Sequence, residues 1–117
     1  YLESQKSKVE ITIPDTVTID GITYKVTAIS KNAFKNNKKL KKVTIGKNVT
    51  QIEANAFNGC KNLKTITIKS KNIKSIGKNA FKGINTKAKI KVPSSKLTKY
   101  KKLFKGKGQK STVKITK

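Results

Sequence analysis

The sequence has no histidine, no tryptophan, no methionine and no arginine, and its one cysteine is Cys60. Without histidine there is no Ser/His/Asp or Cys/His nucleophile and no histidine-based zinc site, and a single cysteine closes no disulfide within the chain. Acids are nearly as scarce: 5 Asp and Glu stand against 29 lysines among 117 residues, a formal net charge of +24. Four of the five, Glu3, Glu10, Asp15 and Asp20, fall in the first 20 residues, which leaves Glu53 alone in the rest. No two carboxylates can be placed together for acid–base work. The chain therefore reads as non-enzymatic, with no catalytic residues, no metal and no cofactor.

Long apolar runs are missing too. Nothing approaches the roughly 20 residues that span a bilayer, so membrane insertion is not expected, and no charged-then-apolar leader is visible. The chain opens with Tyr1 and contains no Met, which reads as a processed or excised piece of a longer precursor. With 117 residues, 34% of them hydrophobic, the expectation is one domain with one modest core.

What the chain has in excess is lysine. Residues 21–117 carry 27 Lys against Glu53, a net of +26. Such a field attracts polyanions of any kind and is screened by salt. With no arginine, the bidentate contacts that read guanine are absent, so sequence-specific DNA recognition is disfavoured. A chain rich in Lys, Asn and Ile also follows from an A/T-rich gene, and exposed lysine keeps a protein soluble whether or not it binds anything.

One short string recurs. KNAFK at 31–35 returns at 78–82, and ANAFN at 54–58 lies between them. Aligned on Ala33-Phe34, Ala56-Phe57 and Ala80-Phe81, the copies are 23 and 24 residues apart, with Asn32, Asn55 and Asn79 just before each pair. An apolar residue opens each unit (Val26, Val49, Ile73), another follows three later (Ile29, Ile52, Ile76), and Leu40 and Leu63 precede the alternating pairs Val43/Ile45, Ile66/Ile68 and Ile90/Val92. Alternation marks strands with one buried face, and a period of about 20–29 residues marks a leucine-rich solenoid. Each unit has too few apolar side chains to close a core alone, so neighbouring coils must bury one another, and Phe34, Phe57 and Phe81 should form an internal ladder. Cys60, opposite Asn37 and Ile84, reads as a small apolar filler.

The stretch LKKVTIGKNVTQIEANAFNGCKNLKTITI, residues 40–68, resembles the BspA-type leucine-rich repeat, whose units run as a strand, an I-x-x-I segment and A-F-x-x-C before the next strand. The resemblance covers residues 26 to about 92. Cys occurs in one unit only, and the third unit has Lys87-Ala88 where Leu is expected, as a transition toward the end of the stack. It implies a β-rich solenoid of short parallel strands, and a binding or adhesion module of a bacterial secreted or cell-surface protein.

Both ends read as caps, giving an N-terminal strand and hairpin cap over 1–25, three repeats over 26–92, and a C-terminal helix and strand cap over 93–117. VEITIP is a short strand ended by Pro14, and VTIDGITYKV is a hairpin around Asp20-Gly21 with Ile22, Tyr24 and Val26 facing the core. In PSSKLTKYKKLF, Ser94 or Ser95 is the expected N-cap, Leu97, Tyr100, Leu103 and Phe104 share one helical face, and Gly106 follows the end. KGKGQK reads as a mobile basic loop, and Val113 and Ile115 as a last strand.

The outward side chains of the strands are the candidate binding residues: Thr23 and Lys25 in the hairpin, then Lys42, Thr44, Thr65, Thr67, Lys69, Lys89 and Lys91. In the family's horseshoe geometry they lie on the concave face. Hydroxyls and ammonium groups suit sulfate, phosphate or carboxylate, although Thr and Lys are also ordinary residues of a solvated sheet face. Of 7 aromatics, three form the Phe ladder, Tyr24 is in the hairpin, Tyr100 and Phe104 are on the helix, and only Tyr1 is unassigned, so none remains to stack on bases or sugar rings. GKGQK at 106–110 lacks the spacing of a phosphate loop, and NVT at 48–50 fits the glycosylation sequon, which carries no glycan by default in a bacterial protein. The expected partner is a host or surface protein or an anionic polymer, bound by a monomer. A spacer or terminal appendage of a larger extracellular protein is the rival reading, and non-specific nucleic-acid binding a third.

Overall fold

The structure, a computed structural model, describes residues 9–117, so Tyr1 and Glu3 lie outside the described part. Short strands, alternating in burial except in the hairpin β2–β3, come first: β1 (Glu10–Ile13), β2 (Thr16–Ile19), β3 (Ile22–Lys25), β4 (Ala28–Ile29), β5 (Lys42–Ile45), β6 (Gln51–Ile52), β7 (Thr65–Ile68), β8 (Ser75–Ile76) and β9 (Lys89–Lys91). A 3-10 turn (Ser94–Lys96), helix α1 (Leu97–Phe104) and β10 (Lys114–Thr116) complete the chain. The β-branched residues of each strand fit a pleated surface with one side in water.

The main sheet has five strands in the order β1-β5-β7-β9-β10, all paired in parallel. Its inward rows run straight through the stack, with Ile11, Val43, Ile66, Ile90 and Ile115 in one register and Ile13, Ile45 and Ile68 in the next. A second parallel sheet, β4-β6-β8, aligns Ile29, Ile52 and Ile76. Parallel strands need a long connection between them. Here the connections from β1 through β9 are each a coil through the second sheet and an Ala-Phe turn, and the last, from β9 to β10, runs through the 3-10 turn and α1.

The turns carry the predicted aromatic ladder. Ring centroids are 5.4 Å apart from Phe34 to Phe57 and 5.4 Å from Phe57 to Phe81, nearly coplanar at 9° and 14°. Beside the rings the backbones join coil to coil: the Phe34 N–H donates to the Ala56 carbonyl at 2.8 Å and the Phe57 N–H to the Ala80 carbonyl at 2.8 Å. To aim those N–H groups along the stack the chain must turn sharply, and Asn32, Asn55 and Asn79 all take positive φ, at 62°, 59° and 58°. Asparagine tolerates that left-handed conformation better than other side chains. Four residues on, a second left-handed position is filled by Asn36, Gly59 and Gly83. Leu40 and Leu63 are buried where expected, and Ala88 takes the third position.

The ends carry the expected strand, hairpin, helix and last strand, and differ from expectation in how some of these pack. At the start, β1 is a full member of the main sheet, because Glu10-Ile11-Thr12-Ile13 repeats the alternation of Lys42-Val43-Thr44-Ile45 with which it pairs. With that edge occupied, the hairpin β2–β3 pairs only with itself around the Asp20-Gly21 turn. Val26 packs half-buried against the core, but Ile22 is 56% and Tyr24 48% exposed, so these two do not face it. At the other end, Ser94 and Ser95 sit in the 3-10 turn, and α1 begins at Leu97 with no side-chain cap bond. Phe104 extends the ring row at 5.0 Å from Phe81. The Tyr100 hydroxyl donates to the Ser70 carbonyl and accepts from the Ile73 N–H, tying α1 to the third coil. The loop at 105–110 is held rather than loose: the Lys107 carbonyl accepts the Phe81 N–H, replacing the next coil, and the Gln109 side chain donates to the Phe104 carbonyl.

Cys60 is fully buried, its Sγ–H donating to the Phe34 carbonyl at 3.0 Å, and burial pushes its pKa up to about 12. The thiol should therefore stay silent to alkylation at pH 9 in the folded protein and react once urea unfolds it; equal rates in both states would contradict this burial. Phe57, flanked by rings on both sides, should lose about 3–5 kcal/mol on Phe57→Ala in urea denaturation. Asn55→Ala should cost about 1–2 kcal/mol by the same measurement, and Asn55→Gly clearly less, since glycine takes positive φ without strain.

Candidate functional site

Strand alternation that buries one row of each strand turns the other outward. On the main sheet this gives two ranks in register: Glu10, Lys42, Thr65, Lys89 and Lys114, and beside it Thr12, Thr44, Thr67, Lys91 and Thr116. Neighbours within a rank are about 4.8 Å apart and the ranks about 6.6 Å apart. The lysines are exposed, while Thr44, Thr65, Thr67 and Thr116 are half-buried between them.

Six of the nine sequence-derived candidates, Lys42, Thr44, Thr65, Thr67, Lys89 and Lys91, are thus brought onto one face. Thr23 and Lys25 are not, because β3 belongs to the separate hairpin, where the Thr23 and Thr18 hydroxyls lie 3.1 Å apart. Lys69 stands just past β7, its N–H donating to the Ile45 carbonyl. Four residues of the ranks were missed: Glu10, Thr12, Lys114 and Thr116. EIT and KIT repeat the pattern of KVT and TIT, and that alternation was the available signal.

The face is electrostatically uneven along the stack. Near β1, a shallow depression of about 400 Å³ is lined by Thr12, Asp15, Thr44, Lys47 and Lys69 among others. Asp15 holds the coil there: its Oδ1 accepts the Lys47 N–H at 2.8 Å, and its carbonyl accepts from the Asn48 side chain and the Val26 N–H. The Lys47 ammonium lies 3.9 Å from Asp15 Oδ2 with both groups largely in water, so the ion pair itself adds little. Glu53 is likewise spoken for, its Oε1 accepting the Lys31 N–H at 3.1 Å. Toward β9 and β10 no acid enters either rank.

Other sequence features take plain roles. The Asn48 side chain of the NVT sequon donates to Asp15 in a part-buried contact. The hairpin presents Val17, Ile19, Ile22 and Tyr24 on one side by register, and Ile19, Ile22 and Tyr24 are exposed. Tyr24 is therefore a solvent-facing aromatic that the sequence reading assigned to the core, although it lies off the main sheet. Among the described residues no three metal-ligating side chains cluster, and no helix is long and apolar enough to cross a membrane.

Two solved structures are similar over about three quarters of the chain. One is a leucine rich cell surface protein from Faecalibacterium prausnitzii A2-165, 29% identical, with a TM-score of 0.62, covering 75% of this chain and 30% of its own. The other is a leucine-rich repeat protein from Bacteroides ovatus ATCC 8483, 27% identical, with a TM-score of 0.55, covering 73% of this chain and 28% of its own. The chain spans less than a third of either relative's length. No curated protein matches it. A family model described as the BspA type leucine rich repeat region matches residues 4–117 in 6 copies. With its parallel ladders, its Asn-Ala-Phe turns and this match over nearly its whole length, the chain belongs to the BspA-type leucine-rich repeat family.

Proposed function

We propose that the chain is a single-domain, non-enzymatic binding module of a bacterial secreted or cell-surface protein, and that it engages an anionic partner through the outward face of its main sheet. One observation carries this reading: across five strands the two outward ranks present Lys and Thr with Glu10 as their one carboxylate. Threonine hydroxyls and lysine ammonium groups both donate to anionic oxygens. A chain of net charge +24 draws such a partner in from a distance and the sheet gives it a regular surface. Secretion or surface display is supported by the Faecalibacterium relative, a leucine rich cell surface protein.

The spacer reading is favoured by a different observation, that the stack corresponds to under a third of each solved relative. A coil stack of that size could extend a larger protein without a ligand of its own.

The two readings separate on an anionic column. The wild-type chain should be retained on immobilised heparin and elute steeply with salt, and Lys42, Lys89 and Lys91 changed together to Glu should elute well before it. Unchanged retention of that variant would remove the sheet face from the reading, and no retention of the wild type would favour the spacer.

A further inference from the structure

The register of the main sheet narrows the contact beyond an anionic partner in general, on which reading the following rests. We infer that Lys89, Lys91 and Lys114, with the hydroxyls of Thr65, Thr67 and Thr116 between them, form a seat for a densely sulfated polysaccharide at the β9–β10 end of the sheet.

The six residues are a block of the two ranks. Thr65, Lys89 and Lys114 are consecutive in one, and Thr67, Lys91 and Thr116 in the other. Lys89 and Lys114 stand directly opposite each other at about 4.8 Å between backbones, and Lys91 is about 6.6 Å along the strand from Lys89. Like charges on directly paired residues oppose strand pairing. At the other end of the same ranks the equivalent neighbour of Lys42 is Glu10, which relieves this repulsion, and Asp15 lies nearby. At β9–β10 no carboxylate does so, and the three ammonium groups project from exposed residues toward whatever anion approaches. An anionic group would therefore settle at this end in preference to the β1 end, where Glu10 and Asp15 offset part of the charge of Lys42, Lys47 and Lys69.

Two further observations select the class of polyanion. The hydroxyls of Thr65, Thr67 and Thr116 both donate and accept hydrogen bonds, so they match a ligand that has hydroxyls of its own as well as anionic oxygens. Sugar rings bearing sulfate esters supply both, whereas an inorganic polyphosphate chain offers acceptors alone. Among the described residues the sheet face also has no aromatic ring for a base to stack on, since Phe34, Phe57, Phe81, Tyr100 and Phe104 are buried and Tyr24 is on the hairpin. Lysine, as a compact point charge, suits sulfate esters without demanding a planar fork.

The test is titration calorimetry of heparin into three proteins at physiological salt: the wild type, Lys89→Gln/Lys91→Gln/Lys114→Gln, and Lys35→Gln/Lys61→Gln/Lys82→Gln. The last removes the same charge from exposed residues off the sheet. The sheet triple should lose roughly tenfold or more in affinity and the control triple much less, and the slope of log K against log salt should fall by about two to three for the sheet triple. Circular dichroism should show all three folded, since every substituted side chain is exposed. Thr65→Val/Thr67→Val should weaken heparin binding several-fold more than polyphosphate binding, because polyphosphate uses the hydroxyls only as donors. Equal losses in the two triples would overturn the seat and reduce the affinity to net charge. An undiminished sheet triple alongside a weakened Lys42→Glu variant would sink the seat while sparing the anionic-partner reading. Polyphosphate competing as well as heparin at equal charge would overturn the sulfated-sugar assignment, and no heparin binding by the wild type would overturn both readings.

Discussion

The contact between one coil and the next is the constraint that everything else obeys. A coil of this chain has a handful of apolar side chains and no opposite face of its own to bury them against. Its inward isoleucines and its phenylalanine are covered only when another coil stacks on them in register. The ring spacing of 5.4 Å repeats because the backbone bonds beside the rings repeat, and those bonds repeat because each turn enters through a left-handed asparagine. Aromatic pairs of this kind add about 0.5–1.5 kcal/mol beyond the area they bury. The larger effect is geometric: a row that must stay in register inside fixes the register of the row outside.

That coupling is why an ordered outward face appears without any residue being placed for one. Parallel pairing puts residue against equivalent residue, so whatever the repeat writes at its outward positions is copied into a rank across the sheet. Lys42, Thr65, Lys89 and Lys114 are neighbours although as many as 25 residues of chain separate consecutive members. Small differences between copies then become differences of position on one surface. Glu10 at one edge and Lys114 at the other polarise the face, while the core beneath them remains the same alternation of isoleucine and valine.

The middle of this fold was legible in the sequence because three signals with separate physical causes coincided there: the period of the Ala-Phe pairs, the strand alternation and the I-x-x-I spacing. The phenylalanine ladder and the buried Cys60 stand where those signals put them, and the Asp20-Gly21 turn stands where its own hairpin dipeptide put it. The ends were harder to read, because a terminal level has a neighbour on one side only and its sequence is free to drift. VEITIP kept the alternation and lost the Ala-Phe spacing that anchored the alignment, so β1 looked like part of a cap. The hairpin's alternation, read as having an inward face, put Ile22 and Tyr24 inside, and reading the two end strands apart from the repeats left Glu10, Thr12, Lys114 and Thr116 out of the candidate face. Ser94 and Ser95 have the chemistry of helix caps, but Pro93 leads them into a 3-10 turn first. Asn32, Asn55 and Asn79 were noticed as letters without a reason; the positive φ supplies it.

The few acids show how the charge excess and the fold fit together. Asp15 and Glu53 spend their carboxylate oxygens on backbone N–H groups of neighbouring coils, Asp15 on Lys47 and Glu53 on Lys31. Both help to hold coils together while keeping their negative charge, but two carboxylates offset few of the lysines around them, and Asp20 sits in the hairpin turn away from the sheet. A protein of +24 with its acids engaged in this way carries a self-repulsion that weakens the compact state and that salt relieves. Any polyanion bound to the folded chain relieves the same repulsion, so the charge that opposes folding is also the charge that makes binding favourable.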